Sequence, residues 1–178
     1  MGIPLVIGVC ENELLRGNTF LKTFGGVRVS LKLTPHHGTL GDKAARIIRK
    51  DLEAALGAGM VVKAVLIHQD VDRVGLAGRR KQLQDWYQEH VDGGGPALVL
   101  CTPDPCTERW LCACCQPPRA AKKANPAAGC DPWKHAWRRG KENDLDRVRE
   151  VATRAQGSLT GLADFDAFLA DWCSAGLP

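Results

Sequence analysis

Two aspartates, Asp70 and Asp72, come directly after an apolar run at residues 61–67. Side chains two positions apart on an extended chain point to the same side, so these carboxylates repel each other and lose solvation unless something compensates. Mg²⁺ takes hard oxygen ligands and is often held by one or two carboxylates, with water and substrate phosphate in its other positions. The pair therefore predicts a divalent-metal site. The alternative is that both aspartates simply begin a turn before the next helix, since Asp is common in turns.

A third carboxylate belongs to Glu11, which follows another apolar run at residues 3–9. If the two runs form neighbouring strands, Glu11 comes close to Asp70 and Asp72. It would then serve as a general acid or base, or as a further metal ligand, beside a metal-held phosphate. This second acidic strand end favours the metal interpretation over the turn.

Arginines follow the acidic pair closely. Arg73, Arg79 and Arg80 have the charge to hold a phosphate backbone. A solvated helix face explains Arg79 and Arg80 equally well, so both interpretations stay open.

A second basic stretch mixes aromatic and cationic residues. Trp133, Arg138 and Arg139 suit stacking on bases and neutralising phosphates, and Lys134 is a candidate cation for stabilising a transition state. The alternative is that the tryptophans anchor a C-terminal segment, with exposed charges between them.

The eight cysteines raise the question of a zinc site, because five of them lie between residues 101 and 115. Structural zinc sites usually present ligand pairs separated by two to four residues. The cysteines at 112–115, with Cys130 and His135 downstream, match that spacing poorly. Buried reduced thiols of a cytosolic protein are the favoured interpretation.

Composition restricts the class of protein. The 178 residues are 44% hydrophobic and 25% charged, with a formal net charge of +4, which is the balance of an ordinary globular chain. No apolar run approaches the roughly 20 residues that cross a bilayer, and the first residues lack a basic leader with a cleavage site. We therefore expect a cytoplasmic protein with no membrane partner, whose mild positive charge permits a nucleic-acid partner.

Strands and helices alternate along the first two thirds of the chain. Buried strands are predicted at residues 3–9, 61–67 and 97–101, an edge strand at 27–33, and helices at 13–24, 41–56 and 76–91. This alternation predicts an α/β fold with a mostly parallel, Rossmann-like sheet flanked by helices, because parallel neighbours need crossover connections. Ligands of such sheets collect beyond the carboxyl ends of the strands.

The last third of the chain is less regular. We expect an α/β core over residues 1–116, followed by a basic connector rich in Ala and Pro. Residues 117–178 then form a small C-terminal helical extension, with helices at 143–154 and 159–172 packing back on the sheet.

This order of elements resembles the Toprim domain of topoisomerases, primases and OLD-type nucleases. The resemblance rests on residues 6–11 (VIGVCE) and 65–72 (VLIHQDVD). A third segment, residues 105–111 (PCTERWL), is similar to one in small stand-alone Toprim-like proteins associated with bacterial anti-phage defence systems. The match covers residues 3–115, and only the combination of segments is specific.

The resemblance implies phosphoryl-transfer chemistry with Mg²⁺, or with Mn²⁺ as a substitute, typically in a nuclease. It implies that Glu11 is the general acid or base or a second-metal residue. It also implies that Asp70 and Asp72 are metal ligands and that Glu108 is an accessory acidic residue.

The sequence departs from the Toprim pattern at Asn12, where Gly usually follows the acidic residue. Glu13 then competes with Glu11 for the catalytic role. The departure gives weight to a non-catalytic Toprim-like subunit that binds metal or nucleic acid for a partner ATPase. A phosphatase or a nucleotidyl or glycosyl transferase also uses a D-x-D pair, although phosphatases of the haloacid-dehalogenase type carry theirs on the first strand. Assembly into a homodimer is left open.

Overall fold

The computed structural model describes residues 3–11, 29–91, 93–115, 130, 132–134, 154 and 158–178. The strands and helices within these ranges follow in the order β1 Leu5–Cys10, β2 Ser30–Pro35, α1 Asp42–Gly57, β3 Val62–His68, α2 Leu76–His90, β4 Ala97–Cys101, α3 Thr107–Cys115 and α4 Ala163–Ser174. The helices predicted at residues 13–24 and 143–154 lie outside the described residues. Among the described helices, none combines the length and the apolar character needed to span a membrane.

The four strands form a parallel sheet in the order β2-β1-β3-β4. β1 is buried along its whole length, as expected for a strand with neighbours on both sides and helices on both faces. β2 lies at the edge and leaves several side chains exposed. The predicted parallel α/β sheet and its edge strand are therefore confirmed. β2 continues past the predicted end at residue 33 because Pro35 still pairs with Cys10.

Helices α1 and α2 cover one face of the sheet. α1 buries Ala44, Ala45 and Ile48 at helical spacing, opposite its charged side chains. The apolar layer beneath the two helices includes Ile7, Val65, Ile67, Leu83 and Trp86.

Helices α3 and α4 cover the opposite face with an aromatic cluster. Trp110 of α3 meets Phe165 of α4 edge to face, with ring centroids 5.2 Å apart, and Phe168 and Trp172 extend the cluster. The helix predicted at 159–172 therefore exists, but α4 begins only at Ala163. The reason is Gly161, whose φ of 87° interrupts the helix.

Gly8 allows the central strands to approach closely. A Cβ atom at this position would lie 1.8 Å from the carbonyl oxygen of Leu66 on β3. A side chain of any size would therefore push β1 away from β3.

Candidate active site

Glu11 and Asp70 meet at the carboxyl end of the sheet because their strands are neighbours. Cys10 of β1 pairs with His68 of β3, so the residues that follow the two strands begin side by side. The backbone amide of Asp70 donates to Oε2 of Glu11 at 3.2 Å, and the amide of Glu11 lies 3.3 Å from the carbonyl oxygen of His68. Two acidic segments that are 59 positions apart therefore share one end of the sheet.

The two aspartates of the pair have different surroundings. The chain after β3 is held by the chain after β4, since the amides of Val71 and Asp72 donate to the carbonyls of Pro103 and Pro105 at 3.0 and 2.9 Å. Asp72 leaves the extended conformation, with a φ of 54°, a region in which Asp is better tolerated than most residues. Asp70 is only 9% exposed, whereas the side chain of Asp72 is 55% exposed.

Thr107, the first residue of α3, holds the carboxylate of Asp70. Its amide and its hydroxyl both donate to Oδ1 of Asp70, each at 2.9 Å. A carboxylate at a helix N-terminus is stabilised by the unpaired amides and by the helix dipole. Asp70 is therefore oriented through one oxygen, and its Oδ2 accepts no hydrogen bond within the described part of the chain.

His68 continues this network below the site. Its Nε2 lies 2.9 Å from the hydroxyl of Thr107, and the amide of Glu11 donates to its Nδ1 at 3.2 Å. Burial lowers the pKa of His68, whereas Cys10 and Asp70 raise it. The amide hydrogen bond nevertheless needs a lone pair on Nδ1. We assign the neutral ring with its proton on Nε2, because Nδ1 then accepts from the Glu11 amide and Nε2 donates to the hydroxyl of Thr107, which itself donates to Asp70.

Glu11 is a half-buried carboxyl with a raised pKa. Burial raises the pKa above its ordinary value of 4.5, and the charges of Asp70 and Asp72 raise it further, against the hydrogen bond from the Asp70 amide. A carboxyl whose pKa moves toward neutrality is suited to proton transfer. A cation at this end of the sheet would also relieve the same negative charge.

The free carboxylate oxygens fit Mg²⁺ better than a closed zinc site. Oδ2 of Asp70 and Oε1 of Glu11 have no hydrogen-bond donor among the described residues. No group of three or more His, Cys, Asp or Glu side chains within those residues is arranged to hold a metal ion, whereas structural zinc takes four such ligands. Mg²⁺ and Mn²⁺ suit carboxylates and water, and Mg²⁺ commonly takes only one or two carboxylates.

Cys130 contacts Asp72, and Cys106 contacts Cys130. The thiol of Cys130 is 3.7 Å from Oδ1 of Asp72 and 3.5 Å from the carbonyl oxygen of Pro105. The thiol of Cys106 is 4.0 Å from the carbonyl oxygen of Cys130. Burial raises the pKa of both thiols, and the thiolate is the form that binds metal. No disulfide joins the cysteines of the described residues. Most of them are buried, as predicted, but Cys130 is half-buried and Cys173 is exposed.

Lys134 is close enough to Glu108 and Asp70 for their charges to act on it. Partial burial opposes the charge of Lys134, but the negative charges of Glu108 and Asp70 outweigh it and raise the pKa of Lys134, so this side chain stays protonated. Oε2 of Glu108 is buried without a hydrogen-bond partner in the described residues. Within those residues, no hydrogen bond or ion pair joins Glu108 to the other three acidic residues. Its accessory role stays a prediction.

The three arginines after the acidic pair have three different environments. Arg73 is exposed. Nη2 of Arg79 lies 3.8 Å from Oδ2 of Asp72. Arg80 points inward, where its Nη2 donates to both carboxylate oxygens of Asp171 at 3.0 and 2.8 Å and so ties α2 to α4. A phosphate-binding role for Arg80 would compete with this internal ion pair.

Trp133 packs against the apolar layer beneath α3 and α4, and its Nε1 is buried without an acceptor in the part of the chain that is described. This placement favours the anchoring alternative over stacking on bases. Glu13, Arg138 and Arg139 lie outside the described residues, so their roles stay predictions.

Thr107 is the site residue that sequence reasoning missed, although it lies within the segment at 105–111 that carried part of the Toprim resemblance. The available signal was its residue type, since Thr is favoured at helix N-termini. That signal could not identify Asp70 as the group it binds.

The chain matches no protein-family model, and comparison with curated proteins and with solved structures also finds no match.

Proposed function

We propose that the acidic end of the sheet binds Mg²⁺, with Mn²⁺ as a substitute, and hydrolyses phosphodiester bonds of nucleic acid as a Toprim-like nuclease. The proposal includes action in the cytoplasm, as part of a bacterial anti-phage defence system. It draws on the Toprim-like segments of the sequence and on the geometry of the carboxylates.

The observation that carries the proposal is the 3.2 Å hydrogen bond from the Asp70 amide to Oε2 of Glu11. It brings together two carboxylates from neighbouring strand ends and leaves one oxygen of each without a donor in the described residues. One or two carboxylates are the usual protein contribution to an Mg²⁺ site that also binds substrate phosphate.

Each residue then has a definite task. Oδ2 of Asp70 and Oε1 of Glu11 would hold the cation, with water and substrate phosphate in its other positions. The role of Asp72, whose side chain is exposed, as a further ligand stays a prediction. A bound divalent cation polarises a phosphodiester and lowers the pKa of its bound water. Glu11 transfers a proton, because its raised pKa brings both of its protonation states within reach. Lys134, which stays protonated, offsets negative charge on the phosphate.

Nuclease assays on Asp70→Asn test the proposal. Asn keeps an oxygen acceptor for Thr107 but removes the charge that holds the cation. We expect wild type to cut at least one of single-stranded DNA, double-stranded DNA or RNA with Mg²⁺ or Mn²⁺, and the variant to cut about 100-fold more slowly or worse. Asp85→Asn, an exposed change on α2, is the matched control and should cut like wild type. Equal cutting by wild type and Asp70→Asn would contradict the proposal.

A second candidate is a non-catalytic subunit that binds metal or nucleic acid for a partner ATPase. The double hydrogen bond from Thr107 favours it, because a carboxylate that caps a helix has a structural reason to be present. Calorimetric titration with Mn²⁺ separates the two functions. Binding that is lost in Asp70→Asn, without turnover of any of the three nucleic acids, would support the second candidate.

A further inference from the structure

A cavity of about 400 Å³ opens beside the acidic end of the sheet, next to α2. Its apolar wall is formed by Leu40, Val74, Leu83 and Trp86. Gln69, the residue before Asp70, also lines it. The cavity therefore adjoins the carboxylates of the candidate site without including them.

The polar side chains that line this cavity include Gln69, Arg79 and Gln82. Arg79 also lies 3.8 Å from Asp72, which connects the cavity to the acidic pair. Nη1 of Arg79 donates to Oε1 of Gln82 at 3.4 Å. The cavity therefore combines an apolar wall with side chains that carry both hydrogen-bond donors and acceptors.

We propose that this cavity binds a nucleobase of the nucleic acid that is cut at the acidic site, an assignment that rests on the proposed function. Its volume falls in the range of about 300 to 1,000 Å³ that small-ligand pockets occupy. A base has flat apolar faces that pack against aromatic and aliphatic side chains. Its edges carry acceptors and amino donors, which match the guanidinium of Arg79 and the amides of Gln69 and Gln82.

The lining favours a base over a phosphate group. Among the described residues around the cavity, Arg79 is the one cation, and the nearby carboxylate of Asp72 offsets its charge. Phosphate sites rely on Arg or Lys side chains and backbone amides directed at the oxygens. Val74, by contrast, is a 45% exposed apolar residue, and a base in the cavity would cover part of its surface.

The test compares a short fluorescein-labelled deoxyadenosine oligonucleotide with the same backbone made of abasic nucleotides. Anisotropy titrations in EDTA prevent cleavage and measure binding alone. Wild type should bind the base-bearing strand about tenfold more tightly or better, since stacking of one base on an aromatic side chain has about that effect. Equal affinity for the two strands would overturn the assignment.

Substitutions that fill the cavity with a larger side chain show whether the base binds there or elsewhere on the protein. Val74→Trp should bring the two affinities close together, and Thr39→Trp, in the exposed loop on the other side, should do the same if the first variant fails to fold. Val61→Trp is the control, since this residue is 72% exposed and lies at the amino end of β3. Retained discrimination in both folded filling variants would also overturn the assignment.

The outcomes separate this assignment from the nuclease proposal. If wild type cuts nucleic acid with metal but binds the base-bearing and abasic strands with equal affinity, the base site alone is refuted. Base discrimination that Val74→Trp removes, without cutting by wild type, would support the base site and refute the nuclease.

Discussion

The amide and the hydroxyl of Thr107 both donate to Oδ1 of Asp70 at 2.9 Å, and the same hydroxyl lies 2.9 Å from Nε2 of His68. Helix α3 is thereby connected to the end of β3 through one buried side chain. The three groups lie out of water, so any of them left without a partner retains its cost of desolvation. Thr107 is therefore a positioning residue for the candidate site.

Thr107→Val should destabilise the protein by about 1–3 kcal/mol, because the valine keeps the shape but leaves His68 and Asp70 with fewer partners. Urea unfolding followed by circular dichroism measures the change. Thr107→Ser keeps the hydroxyl and should lose less stability, mainly that of one buried methyl group. If Thr107→Val were as stable as wild type, the network would have no energetic role.

Gly8→Ala should prevent folding, because the new Cβ would lie 1.8 Å from the carbonyl oxygen of Leu66. Yield of soluble protein and its far-ultraviolet spectrum report the outcome. Gly57→Ala is the control. No atom lies within 4 Å of a Cβ at position 57, at the end of α1, and alanine there should be neutral or stabilise by up to about 1 kcal/mol. A folded Gly8→Ala with wild-type stability would mean that β1 and β3 do not approach so closely.

Asp171→Ala should cost about 2–3 kcal/mol in the free energy of unfolding. The change removes both hydrogen bonds to Arg80 and leaves the amide of Leu100, which donates to Asp171 at 3.0 Å, without its acceptor. The comparison is Asp85→Asn, which breaks the exposed ion pair with Lys81 and should cost about 0.5 kcal/mol or less. Similar losses in the two variants would show that the pair of Arg80 and Asp171 is no more than a surface contact.

Asp104→Asn should change the pH dependence of stability. Burial raises the pKa of Asp104 above its ordinary value of 3.8, and the charge of Asp164 adds to the effect against that of Arg109. Because the folded state holds the proton more tightly, this group favours folding below pH 3.8 and loses that contribution as the pH rises through its folded pKa. Asp104→Asn should therefore be more stable than wild type at neutral pH.

The advantage of Asp104→Asn should shrink toward zero as the pH falls below 3.8, where the aspartic acid is itself neutral. Urea midpoints of both proteins across the acid range measure this difference. An advantage that does not change with pH would exclude the proposed electrostatic cause.

The four strands of the sheet were predicted from local sequence pattern. Apolar runs rich in branched residues predicted β1, β3 and β4, and an alternating run predicted the edge strand β2. Each was confirmed. A strand buried on both faces is a continuous apolar run, and a strand buried on one face alternates apolar and polar residues, so burial can be inferred from the sequence. The predicted ends of β2 and α4 were shifted, because Pro35 continues the pairing with β1 and Gly161 interrupts the last helix.

Residue types and their spacing were enough to determine, from sequence alone, that this chain forms a parallel α/β sheet and that acidic residues follow two of its strands. Only the tertiary structure decided that those strands are neighbours, that Thr107 holds Asp70, and that Arg80 turns inward to Asp171. The physical reason is that periodicity reports the burial of each residue in its own element. The partner of a buried carboxylate, in contrast, is selected by how distant elements pack against one another.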